Sequence, residues 1–409
     1  MRMRGVTMID SPTTTKLIDY DTNVPHITKY MGSKKQILDF VIQGIQDSYL
    51  GGSVCDLFSG SASIAGALRN SVPVFSNDIQ VYSSFLANTY LSDYRWEENP
   101  DILSEVVEKA SQRAKKFFDS YPNLNFSYEE ELTLQQFQKI EKEQQELVKY
   151  DFSKFNYHLF TKYYSGTYWS YNQCVWIDAI RASADDYKNT AYYYPIISSL
   201  MFAMSYNSQS TGHYAQYRDP NTIESMNDIK IYRQKEILPY FKRKFEEFQE
   251  ALGRNHFEHR VTALDYLECL DLIEPNTTVY ADPPYCFVHY SRFYHAIETL
   301  VRYDYPDVKF KGRYRTDRHQ SPFCIRTKVK KAFEEMFNKI KIKEANLVLS
   351  YSNTGMISLD DLKKIAELTF GNMYTIEVRS LDYLHSTMGR RDDKNREVEE
   401  WLILVRRTN

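Results

Sequence analysis

Val54-Cys55-Asp56-Leu57-Phe58-Ser59-Gly60-Ser61-Ala62-Ser63, continued to Val72-Pro73-Val74-Phe75-Ser76-Asn77-Asp78, is the stretch that decides the fold. Val54 to Phe58 is a short apolar run suited to a strand. The small residues after it let a ligand approach the backbone and meet the amino end of the next helix, which runs through Leu68. Val72 to Ser76 reads as a second strand, ending at Asn77-Asp78. A strand, a small-residue turn, a helix and an acid about 20 residues beyond the turn suit a doubly wound sheet, with the carboxylate on ribose hydroxyls. The glycine fingerprint is imperfect, since Ala62 holds its second position. No Gly-Lys-[Ser/Thr] follows, which disfavours a nucleoside triphosphate.

A second strand end carries chemistry. Thr278-Val279-Tyr280-Ala281 is apolar, and Asp282-Pro283-Pro284-Tyr285 stops it, because proline lacks the ladder donor and fixes φ. One carboxylate, rigid carbonyl acceptors and one ring at a sheet rim can grip a planar group bearing an NH₂. The exocyclic amino group of a nucleobase fits that description; a plain strand and proline turn is the bland meaning. Upstream, Lys29-Tyr30-Met31-Gly32-Ser33-Lys34 offers a glycine turn, a capping serine and two lysines, either a lid for a charged ligand or simply a helix start.

The strand–helix rhythm is interrupted. Residues 1–24 lack periodicity and read as a flexible lead-in. An amphipathic helix is expected at 33–48, then the two strands above. From 84 to 261 the alternation gives way to charged helical segments (101–118, 128–150) and a Tyr-, Ser- and Asn-rich stretch (155–217). After that, strands are expected at 278–281, 346–351, 374–379 and 401–405, with a helix at 327–343. The economical reading is an α/β domain built from 25–83 and 262–409, carrying a mainly helical insertion at 84–261.

The chain's 409 residues, 43% hydrophobic, can bury a substantial core. A net charge of −3 gives no global basic field, so nucleic-acid contact must come from local patches. Lys309, Lys311, Arg313, Arg315 and Arg318 form one such run, and Arg390, Arg391, Lys394 and Arg396 another; the ordinary meaning of each is a solvated face. The five cysteines and the histidines His213, His289, His295, His319 and His385 show no metal-ligand spacing, so no metal is expected. Nothing resembles a signal peptide or membrane span, which points to a soluble cytoplasmic protein, and a monomer is expected.

In this order the pieces resemble the Dam-type, α-group AdoMet-dependent DNA adenine-N6 methyltransferases. The family's lysine element falls on Lys29–Lys34, its Phe-x-Gly cofactor loop on Asp56-Leu57-Phe58-Ser59-Gly60-Ser61, and its catalytic tetrad on Asp282–Tyr285. The resemblance implies a Rossmann-like methyltransferase sheet and a target-recognition insertion. It implies S-adenosyl-L-methionine held by Tyr30, Lys34, Phe58, Gly60, Asp78, Asp265 and Asp282. It also implies catalysis by Asp282, Pro283, Pro284 and Tyr285, in which Asp282 and the Pro283 carbonyl accept the adenine amino hydrogens and Tyr285 stacks on a base flipped from duplex DNA. Residues 206–217 are loosely similar to the family's DNA-approaching segment, which makes His213 and Arg218 candidate DNA contacts. Arg313, Arg315 and Arg318 either close over the flipped base or phosphates or belong to a plain surface loop. Double-stranded DNA is the implied partner, in a bacterial or phage, nucleoid-associated setting, and a cognate restriction endonuclease is a further candidate. The rivals are a cytosine-N4 methyltransferase, for which Ser-Pro-Pro-Tyr is the usual tetrad, an RNA base methyltransferase, and a non-catalytic nucleic-acid-binding module. Trp169 and Trp176 read as core, and Cys286 as a buried small residue with no nucleophilic task.

Overall fold

The computed structural model describes residues 18–28, 34–128, 131–209, 213–284, 289–386 and 395–408. Its strands are β1 (Val54–Asp56), β2 (Val74–Asn77), β3 (Arg260–Thr262), β4 (Thr278–Ala281), β5 (Val308–Lys309), β6 (Tyr314–Arg315), β7 (Asn346–Ser352), β8 (Tyr374–Ser386) and β9 (Asn395–Arg407). Seven of them form one sheet in the order β3-β2-β1-β4-β7-β9-β8, while β5 and β6 make a small separate hairpin. The pairings of β1 with β2 and β4, of β2 with β3, and of β4 with β7 are parallel; β9 runs against both β7 and β8. The chain leaves β1 toward β2 and β3, then returns to β4 on the other side. The switch point therefore lies at the carboxyl ends of β1 and β4, where such sheets take their ligands.

Strands covered on both faces are mostly apolar, and β7 is buried at every position, its Asn346 and Ser350 side chains hydrogen-bonded to the Ser48 carbonyl and to Glu400. Its Val348 faces one core with Leu402 and Leu404 of β9, while Leu347 and Leu349 face another with Ile403 and Val405. The helix Val329–Ile342 covers the second face through Phe333, Met336, Phe337 and Ile340. On the first face the helix Leu38–Asp47 buries Leu38, Val41, Ile42 and Ile45, at the spacing of one helical stripe. Gly44 lets it lie close: a Cβ there would meet Leu402 at 3.0 Å and Val348 at 3.3 Å.

Between β2 and β3 the described residues form helices and loops and no sheet strand. The helices Ile102–Ser120, Tyr171–Ala184, Tyr193–Asn207 and Ile237–Ala251 contribute to the same apolar cluster as the first sheet face. The insertion's core is thus an extension of the sheet's core. Trp169 is fully buried there and its Nε1 donates to the Met204 carbonyl at 3.0 Å; Trp176 packs half-buried against the same cluster. Arg233 and Glu141 form a buried pair with 3.0 and 2.7 Å bonds, and Arg233 also donates to the Tyr168 carbonyl at 2.9 Å. Losing one partner of such a pair strands a buried charge, which costs about 3–5 kcal/mol.

Most expected elements recur within a few residues; β3 and the hairpin do not follow from the sequence pattern. β3 has three partly exposed residues, and β5 and β6 two each, too few for periodicity to register. β8 and β9 are longer than expected because they pair with each other beyond Ser352, the last β7 residue paired to β9. No helix among the described residues is long and apolar enough to cross a membrane.

Candidate active site

The turn after β1 is pinned on three sides. Leu57 N donates to the Tyr280 carbonyl at 2.9 Å and Ser59 N to the Asn77 carbonyl at 2.8 Å. Gly60 N donates to Asp78 Oδ2 and Gln80 N to Asp78 Oδ1, each at 2.9 Å. Gly60 (φ 51°) and Ala62 (φ 56°) both take the left-handed conformation, which costs an alanine about 1–2 kcal/mol. Asp78 thus shapes the glycine turn as well as facing the cleft. Burial pushes its carboxyl up, and the Gln80, Gly60 and Ile79 amides hold it back.

Asn77, which the sequence reading did not assign to the site, ties three segments together. Its Nδ2 donates to the Leu57 and Leu264 carbonyls at 3.2 and 3.1 Å, and its Oδ1 accepts from Thr262 Oγ1 and Leu264 N at 2.7 and 3.1 Å. This places Asp265 at the rim, where it caps the helix Tyr266–Asp271 by accepting from Leu267 N at 2.9 Å. Phe58 lies between Tyr266, at 5.9 Å, and Phe323, packed edge-on at 5.5 Å.

These residues wall a cleft of about 1060 Å³, open to solvent, together with Lys34, Asp56, Asp282, Pro283, Pro284, Tyr290 and Ser321–Phe323. Its floor is charged. Asp56 is 1% exposed, and its Oδ1 has no hydrogen-bond partner among the described residues. Burial first, then the nearby Asp282 and Asp78, push its carboxyl well up. The Lys34 ammonium lies 3.2 Å from Asp282 Oδ1 and also bonds Glu400 Oε1. Ser350 Oγ donates to the same Glu400 oxygen at 2.6 Å. Burial and Glu400 raise Asp282 to about 7, while Lys34 pulls it down. A carboxyl poised near neutrality can act as acceptor or proton carrier.

The structure therefore brings Lys34, Phe58, Gly60, Asp78, Asp265, Asp282, Pro283 and Pro284 to one cleft. Tyr30, Tyr285 and Cys286 lie outside the described residues. The basic candidates have mixed fates. Arg315 is buried, pairing with both oxygens of Asp304 and with Asp317 at 3.0 Å. Arg313 donates to the Gln145 carbonyl at 2.8 Å and to the Tyr163 carbonyl, anchoring the hairpin to the insertion. Lys311 pairs with Asp219. Among the run's arginines, Arg318 is half-buried over the Tyr314 ring at 5.2 Å. Arg218 is exposed and bridged to Asp228 at 3.3 Å, and the His213 ring packs tilted against Phe293, with centroids 4.4 Å apart. Arg390, Arg391 and Lys394 lie outside the described residues. Among the described residues no cluster of three His, Cys, Asp or Glu could hold a metal ion.

Sequence reasoning placed Asp56 in the cofactor-loop segment without a role of its own, and assigned no site role to Asn77, Phe323 or Glu400. Asp56 and Asn77 end recognisable strands, so their position was a usable signal; nothing local marks Phe323 or Glu400.

Residues 30–351 match the family described as D12 class N6 adenine-specific DNA methyltransferase. The modification methylase StsI of Streptococcus sanguinis is 23% identical over 388 residues, 93% of this chain and 52% of its own length. The modification methylase LlaI of Lactococcus lactis is 23% identical over 363 residues, covering 87% and 51%. The type II methyltransferase M.NlaIII of Neisseria lactamica is 21% identical over 390 residues, covering 93% and 99%. The chain thus spans about half the length of the first two and nearly all of the third.

Proposed function

We propose that this chain, which belongs to the D12 class N6 adenine-specific DNA methyltransferase family, methylates the exocyclic amino nitrogen of adenine in double-stranded DNA. Its methyl donor is then S-adenosyl-L-methionine. The observation that carries the reading is the single cleft at the β1/β4 switch point, which joins the Asp78-locked glycine turn to Asp282-Pro283-Pro284.

The donor set fits such a methyl donor. Asp56 offers a buried carboxylate with an open acceptor, the kind of group that an ammonium satisfies. Asp78 would supply a ribose acceptor and Asp265 an acceptor for the adenine, and Phe58 and Tyr266 offer flat apolar walls. Lys34 borders the same space. When bound, S-adenosyl-L-methionine supplies a methyl group already activated on a positively charged sulfur.

The remaining work falls to the chain. Asp282 and the Pro283 carbonyl accept the two amino hydrogens of the target base, drawing the nitrogen lone pair out of conjugation. Tyr285 stacks on the ring. Fixing two reactants in one geometry supplies about 7–11 kcal/mol of barrier reduction. Because an adenine inside a duplex cannot reach Asp282, it is flipped out at a cost of a few kcal/mol. Residues 84–261, with His213, Arg218 and Arg318, offset that cost by contacting the duplex and selecting the site. The names of the relatives support a place as the modification half of a restriction–modification system.

The test is label transfer from methyl-labelled S-adenosyl-L-methionine to oligonucleotides. Label in duplex DNA containing adenine and none in adenine-free duplex or RNA is expected. Label in a duplex of G·C pairs alone or in RNA would replace this reading with one of its rivals.

A further inference from the structure

Three charged groups meet at the cleft floor from distant parts of the chain. Lys34 opens the 3-10 turn Lys34–Ile37, Asp282 follows β4, and Glu400 lies on β9 opposite Ser352 of β7. The Lys34 and Glu400 side chains are 9% and 3% exposed, while Asp282 is 19% exposed and borders the cleft. Glu400 therefore has no direct access to a substrate. Its Oε1 accepts from both Lys34 and Ser350, so it is oriented as well as charged.

One ammonium between two carboxylates neutralises neither completely. If the Lys34 ammonium belonged to Asp282 alone, that carboxylate would be a weaker hydrogen-bond acceptor. We propose that Glu400 is a positioning residue for methyl transfer: by sharing the Lys34 ammonium, it keeps the Asp282 carboxylate a strong acceptor for the amino group being methylated. This rests on Asp282 acting as the amino-group acceptor.

The balance of the step shows why that matters. The amino nitrogen gives its lone pair to the methyl carbon, and the carbon–sulfur pair leaves with the sulfur. The positive charge passes from sulfur to nitrogen until one N–H proton is lost. Lys34, Asp282 and Glu400 together carry one net negative charge, which favours that nitrogen cation, and Asp282 can take the proton before passing it to solvent. Among the described residues, the charged and titratable groups facing Asp282 are Lys34, Glu400 on β9, Asp56 on β1 and Tyr280 on β4. Of these groups, Glu400 bonds the Lys34 ammonium and does not line the cleft, so it acts on Asp282 through Lys34.

The test is Glu400→Gln, measured beside Lys34→Met and the double variant. Single-turnover methylation of duplex DNA at pH 8 should fall about tenfold or more in Glu400→Gln. The acid limb of its pH–rate profile should move to lower pH, because a negative neighbour of Asp282 is gone. The same shift should appear without turnover in a ¹³C-carboxyl NMR titration, with the Asp282 signal assigned by its absence from Asp282→Asn. S-adenosyl-L-methionine affinity should stay within about twofold of wild type, and Glu400→Gln should add nothing in the Lys34→Met background. An unchanged rate and titration midpoint would overturn the proposal. So would a parallel loss of cofactor affinity, which marks a structural role. If wild type itself leaves adenine unmethylated, the underlying reading fails instead.

Discussion

Replacing Asp56 by asparagine should make the ligand-free protein more stable while weakening its hold on S-adenosyl-L-methionine. The side chain is 1% exposed, its Oδ1 has no partner among the described residues, and Asp282 and Asp78 add negative charge nearby. A buried carboxylate left charged and without a partner costs about 1–3 kcal/mol or more, and the part due to charge is what asparagine relieves, since it leaves the position unpartnered. Asparagine keeps the shape and removes the charge. With an unfolding entropy of about 2.1 cal/mol/K per residue over 409 residues, that gain corresponds to about 1–3 °C in Tm. The pH dependence fixes the cause. Because the folded pKa lies above the unfolded value, the native protein binds the proton more tightly than the unfolded chain does. Wild-type stability from this group is present below about pH 4 and is lost as pH rises through the folded pKa. The advantage of the asparagine variant should therefore be absent in acid and grow toward pH 8. Affinity for S-adenosyl-L-methionine should drop by about 1.5–3 kcal/mol, the worth of a hydrogen bond to a charged group. Thermal melts from pH 4 to 8 and calorimetric titration read both quantities. A variant less stable than wild type at pH 8, or one with undiminished affinity, would refute the reasoning.

Asp78→Ala should weaken S-adenosyl-L-methionine and S-adenosylhomocysteine alike by about 1–3 kcal/mol, since it strips the acceptor from Gly60 N and Gln80 N; equal calorimetric affinities would place the ribose acid elsewhere. Asp282→Asn should flatten the decline of stability between about pH 4 and 7. A carboxyl raised to about 7 costs at most about 4 kcal/mol at about 1.4 kcal/mol per unit, and identical pH–Tm curves would contradict the raised carboxyl. Arg218→Ala should weaken DNA binding without touching cofactor affinity, because its exposed bridge to Asp228 is worth about 1 kcal/mol or less and releases easily. Gel shifts on cognate and scrambled duplexes at two salt concentrations check this, and wild-type affinities on both would make Arg218 plain surface.

The sheet was legible wherever strands are buried on both faces. The expected strand at 278–281 coincides with β4, and the one at 346–351 falls one residue short of β7. The contact between Gly60 and Asp78 follows from the strand–turn–helix–strand spacing, which is local. The Lys34–Glu400 bond joins residues 366 apart, and only the folding of β9 between β7 and β8 brings them together. The basic run around Arg315 misleads for a related reason. Its aspartates, Asp304 and Asp317, sit in the same segment, and only the hairpin geometry directs them onto Arg315 rather than into solvent. In the insertion, helices were recognisable by composition, but their merging with the sheet's core depends on which faces meet.

The central claim is that Asp282 at the switch point directs a methyl group to the amino nitrogen of adenine in DNA. Nucleoside mass spectrometry of DNA from cells expressing wild type or Asp282→Ala tests it most directly, with the thermal melt of the purified variant as the check on folding. The expected result is N6-methyladenine with wild type and none with Asp282→Ala, although the variant still melts cooperatively. N4-methylcytosine in place of N6-methyladenine, or undiminished N6-methyladenine with the variant, would contradict the account.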